Sequence, residues 1–163
     1  MRRLAASVLA ALLTLSACGT APAFKNYPAG GITGFEHAKV GETIWFGGPI
    51  LTMRRTATVT SADLLDGGQF LTDVHFYLFS IAQNGKGFSL LEDKYLHQYG
   101  FSVDEPLIGA TLRPSDAAKW IAFSAKIAHP GKRTIRRMRV GYRLAGGDHG
   151  SQVLSAEWRI GTD

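Results

Sequence analysis

Apolar and polar residues alternate along much of the chain, which is the pattern of strands that bury one face. In the first half, short stretches of β-branched and aromatic residues are separated by turn residues such as Asp66-Gly67-Gly68 and Asn84-Gly85. They predict strands at residues 43–46, 49–53, 56–62, 74–81 and 87–91. No long apolar period of 3.6 residues interrupts them, so this half is predicted to be β.

The second half shows the alternation more clearly. Residues 119–127 and 135–144 predict two strands of a hairpin, joined by a turn at Pro130-Gly131. The apolar face of the returning strand consists of Met138, Val140, Tyr142 and Leu144. Its other face carries Arg137, Arg139 and Arg143. A last strand places Leu154, Ala156, Trp158 and Ile160 on one side, so both strands are predicted to be half buried.

Many short strands without a substantial helix predict an all-β fold. The expected architecture is an antiparallel, immunoglobulin-like β-sandwich, with an open barrel as the alternative. Cys18 is the only cysteine in the sequence, so no disulfide can form within the domain. We therefore expect packing alone to hold the two sheets together.

The N-terminus has the layout of a lipoprotein signal. Met1-Arg2-Arg3 is followed by an apolar run over residues 4–15 and by Leu15-Ser16-Ala17-Cys18, which resembles a lipobox. The run is too short to span a bilayer, which needs about 20 apolar residues. We expect residues 1–17 to be removed as a signal peptide and Cys18 to be acylated. An ordinary secretory signal with a chance cysteine is the alternative.

The composition after Cys18 predicts two further segments. Residues 18–34 are rich in Gly, Ala and Pro and are predicted to form a lipidated tether, and residues 35–163 are predicted to form the β-sandwich domain. The protein is expected on the extracytoplasmic face of the cell membrane, or on an outer membrane if the host has one. The chain is expected to bind the membrane through acylated Cys18.

Three segments together resemble a known group of proteins. They are residues 40–49 (VGETIWFGGP), 111–115 (TLRPS) and 139–143 (RVGYR). They resemble small immunoglobulin-like lipoproteins of actinobacteria, a loose group without an assigned biochemical role. The resemblance covers about residues 41–160. It implies the fold and supplies no functional positions.

Positive charge is concentrated in one region of the chain. Removal of Arg2 and Arg3 with the signal lowers the formal net charge from +5 to +3, and no acidic residue lies between Asp116 and Asp148. The row Arg137, Arg139 and Arg143 suits bidentate contacts with phosphate or carboxylate groups. Its expected partner is an anionic envelope polymer, a lipid headgroup or a partner protein, and nucleic acid is not expected. The alternative is a solvated sheet face that Glu157 partly neutralises.

The sequence contains no recognised catalytic motif. Gly-x-Ser-x-Gly is absent, Ser124 is expected to be an outward-facing hydroxyl on a strand, and the only thiol is the acylated one. The carboxylates of Glu92-Asp93 and Asp104-Glu105 are adjacent in sequence and would point to opposite faces of a strand. No enzymatic activity is therefore predicted, with a hydrolase of unrecognised type as an alternative.

The histidines do not form a close ligand pair in the sequence. They are His37, His75, His97, His129 and His149. His75 lies in an apolar run and is predicted to be buried, whereas His149 lies in a glycine-rich turn and is predicted to be solvated. No metal site and no cofactor are predicted. The sequence thus favours a non-enzymatic binding or structural module, with a carrier of a metal or small ligand as a further alternative.

Overall fold

The computed structural model describes residues 22–27, 32–80, 90–98, 100–103 and 105–162, and it confirms the predicted β-sandwich. The described strands are β1 Phe24–Tyr27, β2 Ile32–Ala38, β3 Thr43–Met53, β4 Ala57–Leu64, β5 Leu71–Ser80, β6 Leu90–Glu92, β7 Glu105–Pro106, β8 Thr111–Leu112, β9 Lys119–Ile127, β10 Lys132–Leu144 and β11 His149–Thr162. One short helix, α1, spans Asp93–Leu96. None of the helical structure in the described ranges is long and apolar enough to cross a membrane.

The strands form two sheets with the connectivity of the immunoglobulin fold. Sheet I has the order β1-β3-β9-β5-β7, with β6 also paired to β3, and sheet II has the order β2-β11-β10-β4-β8. All pairs are antiparallel except β2 with β11, which is parallel. The first four strands of sheet I correspond to one immunoglobulin sheet, and β4, β10 and β11 to the other. The predicted fold is confirmed, and the open barrel is excluded because the sheets remain separate.

The sandwich begins earlier in the chain than the sequence predicts. The expected tether, residues 18–34, contains β1 and the first part of β2. Phe24 is 1% exposed, and its ring packs edge-on against Tyr142 at 5.1 Å. The side chain of Gln152 accepts from the backbone N–H of Phe24 and donates to its carbonyl, at 3.2 and 3.1 Å. These contacts hold a segment of low apolar content in a strand. The predicted signal peptide, residues 1–17, and Cys18 lie outside the described residues.

A bulge replaces a predicted turn. Residues 43–46 and 49–53 belong to the single strand β3, because Gly47-Gly48-Pro49 shifts the register with β9 instead of reversing the chain. Two indole groups satisfy the backbone at this point: Trp158 Nε1 donates to the carbonyl of Gly47 at 2.7 Å, and Trp120 Nε1 donates to that of Gly48 at 2.6 Å. The bulge is therefore fixed by side chains from both sheets. Most of the predicted strand 87–91 lies outside the described residues.

Gly48 permits the close approach of β3 to β9 at the bulge. A Cβ atom there would lie 2.8 Å from the carbonyl oxygen of Ile121, and a backbone atom cannot move aside as a flexible side chain can. We expect Gly48→Ala to lower the free energy of unfolding by about 1–3 kcal/mol, measured by urea denaturation. Gly68→Ala is the matched control, because a Cβ atom at that position would meet nothing within 4 Å. Equal stability of the two variants would contradict this account of the bulge.

The core between the sheets centres on three aromatic rings. Phe46 of β3 and Phe123 of β9 stack at 4.4 Å, and Trp158 of β11 meets Phe123 edge-on at 5.2 Å. All three are buried, so they join sheet I to sheet II. The apolar faces predicted for the last two strands are likewise buried, apart from the partly buried Ala156.

A second apolar cluster covers the outer face of sheet I. It consists of the buried residues Trp45, Phe79, Leu96, Phe101 and Ala122. Helix α1 and the residues after it form the cover, and Trp45 Nε1 donates to the Asp93 carboxylate at 2.7 Å. The central strands of sheet I are therefore buried on both faces. Ser124 lies on the outer face of sheet I, but it is only 5% exposed. The expectation that its hydroxyl faces the solvent is therefore wrong.

Candidate functional site

The outer face of sheet II is open to solvent, in contrast to that of sheet I. In the ranges that the structure describes, no segment packs over it. Its outward side chains come from β4, β10 and β11 and are almost all polar. They include Thr58, Ser61, Asp63, Arg137, Arg139, Arg143, His149, Ser151, Val153 and Ser155. We call this surface the binding face.

The arginine row lies along the middle of the binding face. Arg137, Arg139 and Arg143 are all exposed on β10, as the alternation predicts. Gly141 takes the remaining outward position of the row, where the Ser61 hydroxyl stands in the space that a side chain would need. The row therefore has a gap between Arg139 and Arg143.

Asp66 neutralises one end of the row. Its carboxylate accepts from the backbone N–H groups of Arg136 and Arg137 at 2.8 and 3.0 Å and from Arg137 Nε at 3.3 Å. Burial raises the pKa of this carboxyl, but these donors outweigh it and hold the pKa below its usual range. Since the folded pKa is depressed, the stabilisation is present above the ordinary pKa of about 3.9 and is lost as the pH falls through the folded value.

The alternative prediction from the sequence is that Glu157 partly neutralises the row. In the structure, Glu157 pairs with Arg136 at 3.6 Å and with Arg159 at 2.9 Å. The reason is the register shift between Ile135 and Arg137, which leaves both Arg136 and Arg137 exposed and displaces β11 relative to the row. The expected neutralisation of the row by Glu157 is therefore wrong, and Asp66 takes that role for Arg137.

The other two arginines of the row carry charge available to a partner. Arg139 lies across from Asp63 on β4 and Val153 on β11, and Arg143 lies across from Thr58 and His149. Within the described part of the chain, neither guanidinium forms an ion pair. An anion at this face would meet these two groups without first displacing a bonded carboxylate.

An open depression lies at the far side of the binding face, where β2, β11 and β10 meet. Its volume is about 580 Å³, and Gly34 and Gly161 form part of its wall. The wall has three basic residues and one acidic residue among its other members, which are Lys132, Arg133, Arg159, Glu36, Thr134 and Ile160. The sequence pattern contains no sign of it, because the parallel pairing of β2 with β11 brings distant residues together.

The histidines are dispersed over the surface. His75 is exposed, so the prediction that it is buried is wrong: Asp73 has a φ of +50° and the register with β9 shifts before His75, which turns this side chain outward. His149 is exposed, as predicted. Among the residues with described positions, no group of three or more His, Cys, Asp or Glu could hold a metal ion.

The polar residues considered for catalysis have structural surroundings. Ser124 lies across from both Trp45 and His75, but its burial keeps a substrate from the hydroxyl. Asp93 binds the Trp45 indole, and Glu92 forms an ion pair with Lys94. Asp104 lies outside the described residues. The arrangement gives no accessible nucleophile beside a base at these positions.

Comparisons with known proteins place the fold in context. No family model and no curated protein sequence matches the chain. ACE19, the collagen-binding subdomain of the Enterococcus faecalis surface protein ACE, aligns with a TM-score of 0.32 and 12% identity over 85% of this chain and 97% of that chain. A structure of the Enterococcus faecalis MSCRAMM ACE, described as binding its ligands by the collagen hug model, aligns with a TM-score of 0.23 and 11% identity over 88% and 52%. Both likenesses are distant and assign no function to this chain.

Proposed function

We propose that this chain is a lipoprotein of the cell envelope, acylated at Cys18, and that it is a non-enzymatic module that binds an anionic partner on its binding face. The single observation that carries the binding role is the contrast between the two sheets. The outer face of sheet I is closed by its own apolar cover, whereas that of sheet II exposes Arg137, Arg139 and Arg143. We also propose that the chain is related to the small immunoglobulin-like lipoproteins of actinobacteria and that it is located at the membrane.

The shape of the binding face favours an extended polymer over a compact ligand. Outward positions on a strand recur about every 7 Å, so Arg139 lies about one repeat from Arg137 and about two repeats from Arg143, with the gap at Gly141 between the last two. The basic depression continues the same face beyond Arg137. Anionic envelope polymers carry repeated phosphate or carboxylate groups, and each such group can accept a bidentate contact from a guanidinium.

The row can be tested with the mature chain lacking the lipid, residues 19–163, since a chain starting at residue 35 would lose Phe24 and β1. Replacement of Arg137, Arg139 and Arg143 by glutamine is expected to abolish most cosedimentation with purified cell wall at low salt. Exposed substitutions shift stability by only about 0.5 kcal/mol each, and the exposed pair of Arg137 with Asp66 adds about 0–1 kcal/mol. The fold should therefore persist, as circular dichroism can show.

The control has the same loss of charge at other places on the surface. Glutamine at Lys39, Lys94 and Lys126, all exposed, should leave wall binding unchanged. Binding by the wild-type chain should weaken as salt rises, because exposed charges are screened over about 10 Å at 0.1 M. Equal binding by the row variant and the wild type would remove the proposed role of this face.

A further inference from the structure

The chain enters the sandwich at one identifiable end. Ala23 is fully buried, and its carbonyl accepts from the backbone N–H of Arg54 at 2.9 Å while its own N–H donates to the Tyr142 hydroxyl at 3.3 Å. Arg54 begins the turn from β3 to β4, and Tyr142 is near the end of β10. The point of entry therefore lies beside the β3–β4 and β10–β11 turns.

Covalent geometry limits how far this end can be from the proposed lipid. Four residues lie between Cys18 and Ala23, so five steps along the chain join them. A fully extended chain gains at most about 3.3–3.6 Å per residue, so the span is at most about 18 Å. If Cys18 is acylated, this end of the sandwich stays near the membrane surface whatever path those residues take.

The same end has an excess of exposed positive charge. We call it the anchor pole, and its charged residues in the surrounding turns are Arg54, Arg55, Arg113, Arg143, Asp116 and Asp148. The Asp116 carboxylate is engaged by the backbone N–H of Arg113 at 2.7 Å. Within the described ranges, none of these four guanidinium groups forms an ion pair. The adjacent Arg54 and Arg55 lie directly beside the point where the chain enters.

We propose that the anchor pole docks on anionic phospholipid headgroups through Arg54 and Arg55, so that the sandwich stands on the membrane in one orientation. The proposal rests on acylation at Cys18. It adds a fixed orientation of the domain, which the lipid anchor alone does not give. A single flexible attachment leaves the domain free to tilt, whereas basic residues held near an anionic surface attract it within about 10 Å.

The orientation determines what the rest of the molecule faces. Strand β10 runs from the basic depression at Lys132 to the anchor pole at Leu144, about 40 Å at 3.3 Å per residue. Of the arginine row, only Arg143 would come near the lipid. Arg137, Arg139 and the depression would face the envelope away from the membrane, where an extended polymer can reach them.

The test measures orientation on vesicles with the full acylated protein. Because acylation consumes the only native thiol, Gly146→Cys and Gly68→Cys each provide one site for a fluorescent donor, and both positions have open space for a side chain. Gly146 lies at the anchor pole and Gly68 near Ile135, toward the opposite end of β10. Energy transfer to an acceptor on the lipid headgroups is measured in phosphatidylcholine vesicles with and without phosphatidylglycerol.

Transfer from position 146 should clearly exceed transfer from position 68 in anionic vesicles, and the difference should shrink without phosphatidylglycerol or at high salt. The double substitution Arg54→Gln with Arg55→Gln should lower the equilibrium constant for docking of the anchor pole on the headgroups by about 25-fold, since each basic residue contributes about fivefold. The matched control, Lys132→Gln with Arg133→Gln, removes the same charge at the other end and should retain the difference. Equal transfer from both positions in anionic vesicles, or no effect of the arginine substitutions, would overturn the proposal. Vesicle flotation separates this from failure of the anchor, because a chain that is not acylated would not float with neutral vesicles.

Discussion

Replacement of Trp158 by alanine is expected to remove about 3–5 kcal/mol from the free energy of unfolding. Trp158 is 1% exposed, lies at the centre of the aromatic cluster that joins the sheets, and donates from Nε1 to the carbonyl of Gly47 at 2.7 Å. Natural domains have only about 5–15 kcal/mol of stability. No disulfide supports this sandwich, so the variant should be close to unfolded at 37 °C.

A conservative variant separates the ring from its hydrogen bond. Trp158→Phe keeps an aromatic ring but leaves the Gly47 carbonyl without its donor, which is expected to cost about 1–3 kcal/mol, in addition to the lost volume. Val153→Ala, at an exposed position on the same strand, should be near neutral. Urea denaturation measures all three variants. A loss below about 1 kcal/mol for Trp158→Ala, well under the usual range for such a change, would mean that the core does not depend on this cluster.

Replacement of Cys18 by alanine is expected to abolish acylation and the removal of the signal by the lipoprotein peptidase. Each buried methylene contributes about 0.8 kcal/mol, so two or three acyl chains hold a protein firmly whereas none leaves only weak electrostatic contact. Fractionation should find the wild type in the membrane, released by detergent and not by salt. The variant should remain as uncleaved precursor or appear as a product without lipid.

Mass spectrometry provides the decisive measurement for the anchor. The mature wild-type chain should begin at Cys18 and carry the added mass of acyl chains. Ser16→Thr is a suitable control, because it changes the lipobox region without removing the acylated thiol. Mature protein with an unmodified Cys18 would contradict the lipoprotein proposal, and the orientation proposed for the anchor pole would fall with it.

The strand pattern predicts the last two strands, β10 and β11, because each has one apolar and one polar face. The predicted hairpin of residues 119–127 with 135–144 is wrong, since β9 lies in sheet I and is buried on both faces, whereas β10 lies in sheet II. Met138 and Val140 alternate with Arg137 and Arg139, and the structure buries the first pair and exposes the second. The short strand β1 lacks such a pattern. It is stabilised by pairing with β3 and by Gln152, which is far away in sequence, so local composition could not reveal it.

The errors on sheet I have two physical causes. Alternation along a single strand predicts the surroundings of Ser124 and His75, but the cover over this sheet comes from residues in a separate segment of the chain. A backbone irregularity at Asp73 then exposes His75. Spacing alone identifies the arginine row, whereas its partner Asp66 depends on a bulge that spacing does not show.

The division of the N-terminal segment between the two sheets has a mechanical consequence. If the chain is anchored at Cys18 as proposed, a pull from the membrane would reach β1 first and act along its axis, because β1 runs inward from the anchor pole and pairs with β3. All the backbone hydrogen bonds of that pair are then loaded together in shear, instead of opening one after another. If β1 nevertheless slips, β2 remains held in parallel beside β11 in the other sheet. A lipid attached at Cys18, as proposed, would thus transmit tension while most of the sandwich remains intact.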